Sequence, residues 1–151
     1  MRYVYLGSTG LQVSELCFGT MTFGKEADPQ ASAAIYRRCR EAGINFFDCA
    51  NVYANGESER ILGGLIAGER DRLVLASKVG GAMGEGPNRV GLSRRNILYE
   101  CEQSLRRLDT EWIDIYFAHR FDPLVPMDDV LHAFDTLRSQ GKIRYFGVSN
   151  W

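Results

Sequence analysis

Four polar or ionisable side chains of different types stand where apolar runs of the sequence end. Asp48 ends the run NFF, Lys78 closes LVLAS, and His119 follows IDIYFA. Tyr53 comes five residues after Asp48, inside a polar stretch that contains glycine. A phenol is protonated at neutral pH and can donate a proton to a developing alkoxide. An ammonium would favour the phenolate left behind, a carboxylate would hold the ammonium charged, and an imidazole could polarise a substrate oxygen.

Together these groups suit the reduction of a carbonyl, in which hydride reaches the carbon and a proton reaches the oxygen. No serine or cysteine stands beside a base in the set, so the set does not indicate a nucleophilic triad. Each residue also has a structural alternative. Asp48 could brace a turn, Tyr53 could pack, Lys78 could extend to solvent, and His119 could be a core histidine. The complementary chemistry of the set favours the catalytic interpretation. The other histidine, His132, lies in a predicted helix and is expected at the surface.

The elements that must position these residues alternate between strand and helix. An opening segment, RYVYLGSTGLQV, predicts a hairpin around Gly7 to Gly10. Five apolar segments then predict buried parallel strands at 15–20, 45–50, 72–79, 113–119 and 144–150. Two architectures fit this order, an open doubly wound sheet and part of a (β/α)₈ barrel. The stretch CFGTMTFG lacks the G-x-G-x-x-G fingerprint of a Rossmann sheet. In both architectures the carboxyl ends of the strands carry function.

Four helices are predicted between these strands from capping residues, apolar stripes and terminal glycines. They run from Asp28–Pro29 to Gly43, from near Glu57 to Gly68, from Ser93 past Leu108, and from Asp128–Asp129 to Gly141.

The composition is that of one soluble globular domain, which we assign to residues 1–151. The chain is 45% hydrophobic and 25% charged, with a formal net charge of -1. Acidic and basic residues are mixed along it, which argues against a nucleic-acid or anionic-membrane surface. No apolar stretch approaches the roughly 20 residues that span a bilayer. The start lacks the apolar core of a signal peptide, so the cytoplasm is the expected location. The four cysteines have scattered spacings, predict small buried hydrophobic residues, and support no metal site.

Five blocks of the sequence, taken in order, resemble the aldo-keto reductases. They are LGSTGLQVSELCFGTMTFG, NFFDCANVYANGESERILG, LVLASKVG, IDIYFAHRFDP and GKIRYFGVSNW. The sequence is most similar to the branch of microbial and plant enzymes that also contains the potassium-channel β subunits. The resemblance implies an α/β fold that is the N-terminal portion of a (β/α)₈ TIM barrel, with a hairpin before its first five strands. It also implies NADPH-dependent reduction of aldehydes or ketones, with a small-molecule carbonyl substrate.

The resemblance further assigns roles to individual residues. It implies a catalytic tetrad of Asp48, Tyr53, Lys78 and His119, with Tyr53 as the general acid. For the cofactor it implies contacts from Asp48, from the active-site floor at Gly19, Thr20 and Met21, and from Ser149 and Asn150, which would hydrogen-bond the nicotinamide carboxamide.

The sequence departs from this pattern in its length. A complete barrel takes about 250 residues, whereas this chain ends at Trp151, after its fifth predicted strand. The family's loop for the adenosine phosphates is expected to be absent. Five strands cannot close, so the first and fifth would be unpaired edges. We therefore expect self-association, pairing with a complementary half-barrel chain, or marginal stability.

Two alternatives to the reductase function remain. The chain could be a non-catalytic nicotinamide-binding subunit or an inactive fragment.

Overall fold

A hairpin and a five-stranded parallel sheet, with helices between the strands, make up the chain. The structure is a computed structural model that describes residues 1–151. The hairpin consists of β1 (Tyr3–Tyr5) and β2 (Gln12–Ser14). The sheet contains β3 (Cys17–Gly19), β4 (Phe46–Asp48), β5 (Val74–Val79), β6 (Ile113–Ala118) and β7 (Ile143–Val148). The helices are α1 (Pro29–Glu41), α2 (Glu57–Ile66), α3 (Arg94–Leu108) and α4 (Met127–Ser139). Two short 3₁₀ helices cover Tyr53–Gly56 and Arg70–Arg72.

The strand order decides between the two architectures that the sequence allows. The order is β3-β4-β5-β6-β7, and each strand pairs in parallel with the next one along the chain. In a doubly wound sheet the order of the strands reverses at a switch point, whereas in this sheet the strands follow the order of the chain throughout. The structure is therefore the wall of an incomplete barrel.

The helices begin close to the predicted positions, and side chains cap the first turns of α1 and α3. The Asp28 carboxylate accepts a hydrogen bond from Ala31 N at 2.8 Å, and Pro29 is the first helical residue of α1. The Ser93 hydroxyl caps α3 by accepting from Asn96 N at 3.2 Å. Helix α4 begins at Met127, one residue before the predicted start, with Asp128 in its first turn.

The regular parts of β3 and β4 are shorter than predicted, although backbone pairing continues past their ends. Thr20 N donates to Asp48 O at 2.9 Å, and Cys49 N donates to Ala76 O at 2.8 Å. His119 N likewise donates to Val79 O at 2.8 Å beyond the end of β6. These bonds hold the residues after each strand in a fixed position at the carboxyl edge of the sheet.

Two apolar clusters lie on opposite faces of the sheet. The larger, of 23 buried residues, lies between the sheet and the helices. The smaller consists of Val13, Val74, Ala76 and Ile115, and represents the inner face of the barrel wall. The hairpin covers the amino end of this inner face, since Asn45 Oδ1 accepts from the backbone of Ser14 at 2.7 Å.

Helices α2 and α3 meet at a buried ion pair. Glu59 is fully buried, and its carboxylate accepts from Arg107 Nε and from Ser77 Oγ, each at 2.6 Å. One turn further along α2, Gly63 lies directly against the backbone of Leu108. The helix interface therefore depends on one ion pair and on one residue without a side chain.

The prediction of buried cysteines is confirmed for three of the four and wrong for Cys17. Cys39, Cys49 and Cys101 are buried, whereas Cys17 is exposed. Cys17 lies on β3, an edge strand that has a neighbour on one side only. None of the helices combines the length and the apolarity needed to cross a bilayer.

Candidate active site

The carboxyl ends of three neighbouring strands bring the four predicted tetrad residues together. Asp48 is the last residue of β4, Lys78 lies on β5, and His119 directly follows β6. Tyr53 is the first residue of the 3₁₀ helix between β4 and α2. The parallel pairing of the strands therefore converts four separate positions in the sequence into one cluster.

Lys78 lies at the centre of this cluster. Its ammonium forms an ion pair with the Asp48 carboxylate. It also donates to Cys49 O at 2.8 Å and to the Tyr53 hydroxyl at 3.2 Å. An ammonium has three donors, so each has a partner. Lys78 is only 7% exposed and does not extend to solvent, which excludes the structural alternative for this residue.

The turn after β4 aims the phenol of Tyr53 at this ammonium. Ala54 and Asn55 have φ values of 47° and 52°, and Gly56 has 90°. Left-handed backbone costs about 1–2 kcal/mol at each residue that has a Cβ. Asn51 secures the turn, since its N donates to Lys78 O at 3.2 Å and its Nδ2 to the buried Glu100 carboxylate at 3.1 Å. These contacts keep the Tyr53 ring 5.0 Å from the Lys78 ammonium.

His119 lies against Tyr53 on the side of the site that faces the open cavity. The two rings meet edge to face, with centroids 5.9 Å apart. Partial burial lowers the pKa of the His119 imidazole, and the positive charge of Lys78 lowers it further. The ring is therefore neutral at neutral pH, when it carries one N–H donor.

A cavity of about 350 Å³ opens beside His119. Its lining consists of Val52, Gly81, Ala82, His119, Arg120 and Asn150. Asn150 Nδ2 donates to His119 O at 3.0 Å and to Ser149 Oγ at 2.9 Å. Ser149 N continues the pairing past β7 by donating to Ala118 O at 2.9 Å. The ends of β6 and β7 thus form one wall of the cavity.

The predicted floor residues lie at the end of β3 and differ in their surroundings. Gly19 pairs with Asp48 in the sheet, and a Cβ added to Gly19 would meet no atom within 4 Å. Thr20 is fully buried, and its hydroxyl donates to Asp48 O at 3.1 Å and accepts from Ser58 Oγ at 2.9 Å. Met21 is 62% exposed. The space above Gly19 is open, whereas the Thr20 hydroxyl braces the backbone of Asp48.

Sequence reasoning missed three residues that shape the site. Glu100 fixes Asn51, and Arg120 lines the cavity beside His119. Glu100 lies three residues after Ile97 and eight before Leu108, both of which are fully buried. A carboxylate at a buried stripe position is a signal that could have identified it. Asn51 and Arg120 carry no comparable pattern in the sequence.

Comparison with known proteins shows the family. The model of the Aldo/keto reductase family matches residues 15–151. A probable voltage-gated potassium channel subunit beta of Oryza sativa subsp. japonica is 39% identical over 100% of this chain and 47% of its own length. The uncharacterized oxidoreductase YrpG of Bacillus subtilis (strain 168) is 41% identical over 100% of this chain and 50% of its own length.

A solved structure shows the same fold. The holo form of the aldo-keto reductase AKR11C1 from Bacillus halodurans is 36% identical, with a TM-score of 0.91 over 99% of this chain and 50% of that chain. The chain thus spans about half the length of the relatives it matches. The predictions of the family and of an incomplete barrel are confirmed.

Proposed function

The chain belongs to the aldo/keto reductase family, and from this premise we propose that it carries the catalytic residues of an NADPH-dependent oxidoreductase that reduces aldehyde or ketone carbonyls. Family membership and the oxidoreductase relatives support the general oxidoreductase role. The proposal of carbonyl reduction with Tyr53 as the acid rests on one observation. The Lys78 ammonium, which forms an ion pair with Asp48, donates a hydrogen bond of 3.2 Å to the Tyr53 hydroxyl.

In the proposed mechanism, Tyr53 is the general acid. The bound cofactor would supply the hydride for the carbonyl carbon. The Tyr53 hydroxyl donates its proton to the developing alkoxide, and the Lys78 ammonium stabilises the phenolate left behind. Asp48 and the Cys49 carbonyl hold that ammonium directed at Tyr53 Oη. Neutral His119 donates a hydrogen bond to the substrate oxygen and polarises the carbonyl.

The residues around the cavity fit the nicotinamide end of the cofactor. Both hydrogen bonds made by the Asn150 amide group use its nitrogen, which leaves its carbonyl oxygen to accept from a carboxamide. The open space above Gly19 lies beside Asp48 and could take a flat ring. We propose Ser149, Asn150, Gly19 and Asp48 as the nicotinamide contacts. The family resemblance adds Thr20 and Met21; the Thr20 hydroxyl and backbone N both donate to Asp48 O, so Thr20 would act by holding Asp48 in place.

Replacement of Tyr53 by phenylalanine tests the proposed general acid. The assay follows NADPH absorbance with a panel of aromatic and aliphatic aldehydes. We expect Tyr53→Phe to lower kcat by about 10²- to 10⁴-fold, the usual contribution of a general acid. Tyr5→Phe is the matched control, because Tyr5 is 65% exposed in the hairpin. Equal turnover by wild type and Tyr53→Phe would show that another group donates the proton.

A non-catalytic nicotinamide-binding subunit is the second candidate function, because the chain is similar to proteins named as channel β subunits. The same assay separates the two candidates. Binding of NADPH without turnover would favour the subunit, and the absence of both would indicate an inactive fragment.

We also propose that the chain associates with a second copy of itself or with a complementary half-barrel chain. Both outer strands, β3 and β7, have one unpaired edge. Large apolar side chains near these edges are exposed, among them Leu16 at 58% and Val148 at 54%. Unpaired edges of this kind are templates for pairing with another chain. The cytoplasmic location stays a prediction from the sequence.

A further inference from the structure

Arg120 lies between two cavities at the mouth of the candidate site. It directly follows His119 and lines the cavity of about 350 Å³ together with His119 and Asn150. It also lines a second cavity of about 280 Å³, with Gly80 and Phe121 in its wall. A substrate whose carbonyl reached Tyr53 through this mouth would therefore pass the Arg120 side chain.

The protein does not neutralise the charge of Arg120. Its hydrogen bond within the chain runs from Nε to Gly80 O, at 3.3 Å. The guanidinium groups of Arg70 and Arg107, by contrast, form ion pairs with buried carboxylates. Asp122 is the nearest acidic residue in the sequence, but its oxygens accept from Leu92 N at 2.8 Å and from Leu124 N at 3.0 Å. Both terminal nitrogens of Arg120 are therefore available to a ligand.

No carboxylate lines the cavity beside His119, whereas Asp122 lines the second cavity together with Arg120, so the cavity beside His119 is the one that favours an anion. The positive charges of Lys78 and Arg120 both act on His119, and Asp48 opposes them with one negative charge. The planar guanidinium matches a carboxylate in a bidentate arrangement, which adds geometric specificity to the charge attraction. A neutral group could accept a hydrogen bond from these donors but would gain no attraction between opposite charges.

We propose that Arg120 is a specificity-determining residue that binds the carboxylate of an oxo-acid substrate while the carbonyl of that substrate lies at Tyr53 and His119. This inference rests on the proposed reductase function and names the substrate class of the same site.

A matched pair of substrates tests the inference. The pair is para-carboxybenzaldehyde and its methyl ester, which present the same aldehyde with and without the negative charge. We expect Arg120→Gln to lower the ratio of kcat/KM for the acid over the ester by about ten- to hundredfold, as for the loss of a charged hydrogen bond. Arg37→Gln removes the same charge from the exposed face of α1 and is expected to leave the ratio unchanged. An unchanged ratio in Arg120→Gln would overturn the inference.

A binding experiment separates this inference from the proposed reaction. Calorimetric titration with benzoate, without cofactor, is carried out on wild type, Arg120→Gln and Arg37→Gln. We expect Arg120→Gln to bind benzoate at least about fivefold more weakly than the other two proteins. If neither aldehyde is turned over, the proposed function fails, and benzoate binding alone decides the inference. Equal binding by all three proteins would overturn it. If both aldehydes are turned over and Arg120→Gln leaves the ratio of kcat/KM for the acid over the ester unchanged, the inference is overturned. The proposed reductase function would still stand in that case.

Discussion

Two adjacent glycines of α2 provide a sharp test of the packing. A Cβ on Gly63 would lie 2.7 Å from the carbonyl carbon and oxygen of Leu108, and 2.8 Å from the carbonyl oxygen of Arg107. A Cβ on Gly64 would meet no atom within 4 Å. Both glycines lie within the same helix, so substitution by alanine gives both the same gain in helix propensity. The difference between the two variants isolates the close approach of α2 to α3.

The expected magnitudes follow from these distances. Alanine stabilises a helix interior by about 0.5–1 kcal/mol relative to glycine, which is the gain in unfolding free energy expected for Gly64→Ala. In Gly63→Ala the clashing atoms belong to the backbone of α3 and cannot rotate away. Helix α2 must therefore shift, although the Glu59–Arg107 ion pair one turn earlier ties it to α3. Overpacking of this kind costs about 2–3 kcal/mol, so the net loss of unfolding free energy is about 1–2.5 kcal/mol.

Urea unfolding followed by far-UV circular dichroism measures both changes. We expect the midpoint of Gly64→Ala to rise and that of Gly63→Ala to fall, with the m-values unchanged. A Gly63→Ala variant at least as stable as wild type would refute the close approach of the two helices. A rise of equal size in both variants would show that helix propensity alone is being measured.

Two further predictions concern His119 and the edges of the sheet. Because burial and Lys78 lower the pKa of folded His119, the unfolded chain takes up the proton first as the pH falls through about 6.5. We expect the unfolding free energy of wild type to fall as the pH drops from about 6.5 through the folded-state pKa, and to fall less steeply in His119→Gln. Urea unfolding at several pH values measures this, and the same pH dependence in both proteins would contradict it. In size-exclusion chromatography, the unpaired edges of β3 and β7 should give a concentration-dependent mass above the 17.0 kDa of one chain. A single sharp monomer peak with cooperative unfolding at high temperature would contradict association.

The sequence predicted the elements well because their signals are local. The Asp28 and Ser93 caps lie where the pattern placed them, and each predicted run overlaps a strand, with β7 beginning one residue early at Ile143. The grouping of Asp48, Lys78 and His119 followed from one general rule, that the carboxyl ends of parallel strands share an edge. No pairing between distant side chains was needed for that prediction.

The buried charges could not be paired from the sequence in the same way. Glu59 stands three residues before Leu62 and seven before Ile66, on the buried stripe of α2. That position signals a buried carboxylate, but its partner, Arg107, lies on another helix 48 residues away. Which helices meet, and at which turn, is set by the packing of the whole layer. The exposure of Cys17 likewise depends on its strand being an edge, which the local apolar pattern does not show.

The side-chain geometry of the proposed tetrad depends on the interior of the sheet and not on its edges. The strands that carry or precede Asp48, Lys78 and His119 each have a neighbour on both sides. The partners of the Lys78 ammonium all come from β4 or from the turn that follows it, and α3 holds that turn through Glu100. The proposed nicotinamide contacts Gly19 and Asn150, by contrast, lie on and after the two edge strands. Whatever packs against those edges is therefore expected to act on the proposed nicotinamide contacts before it acts on the position of Tyr53, the proposed general acid.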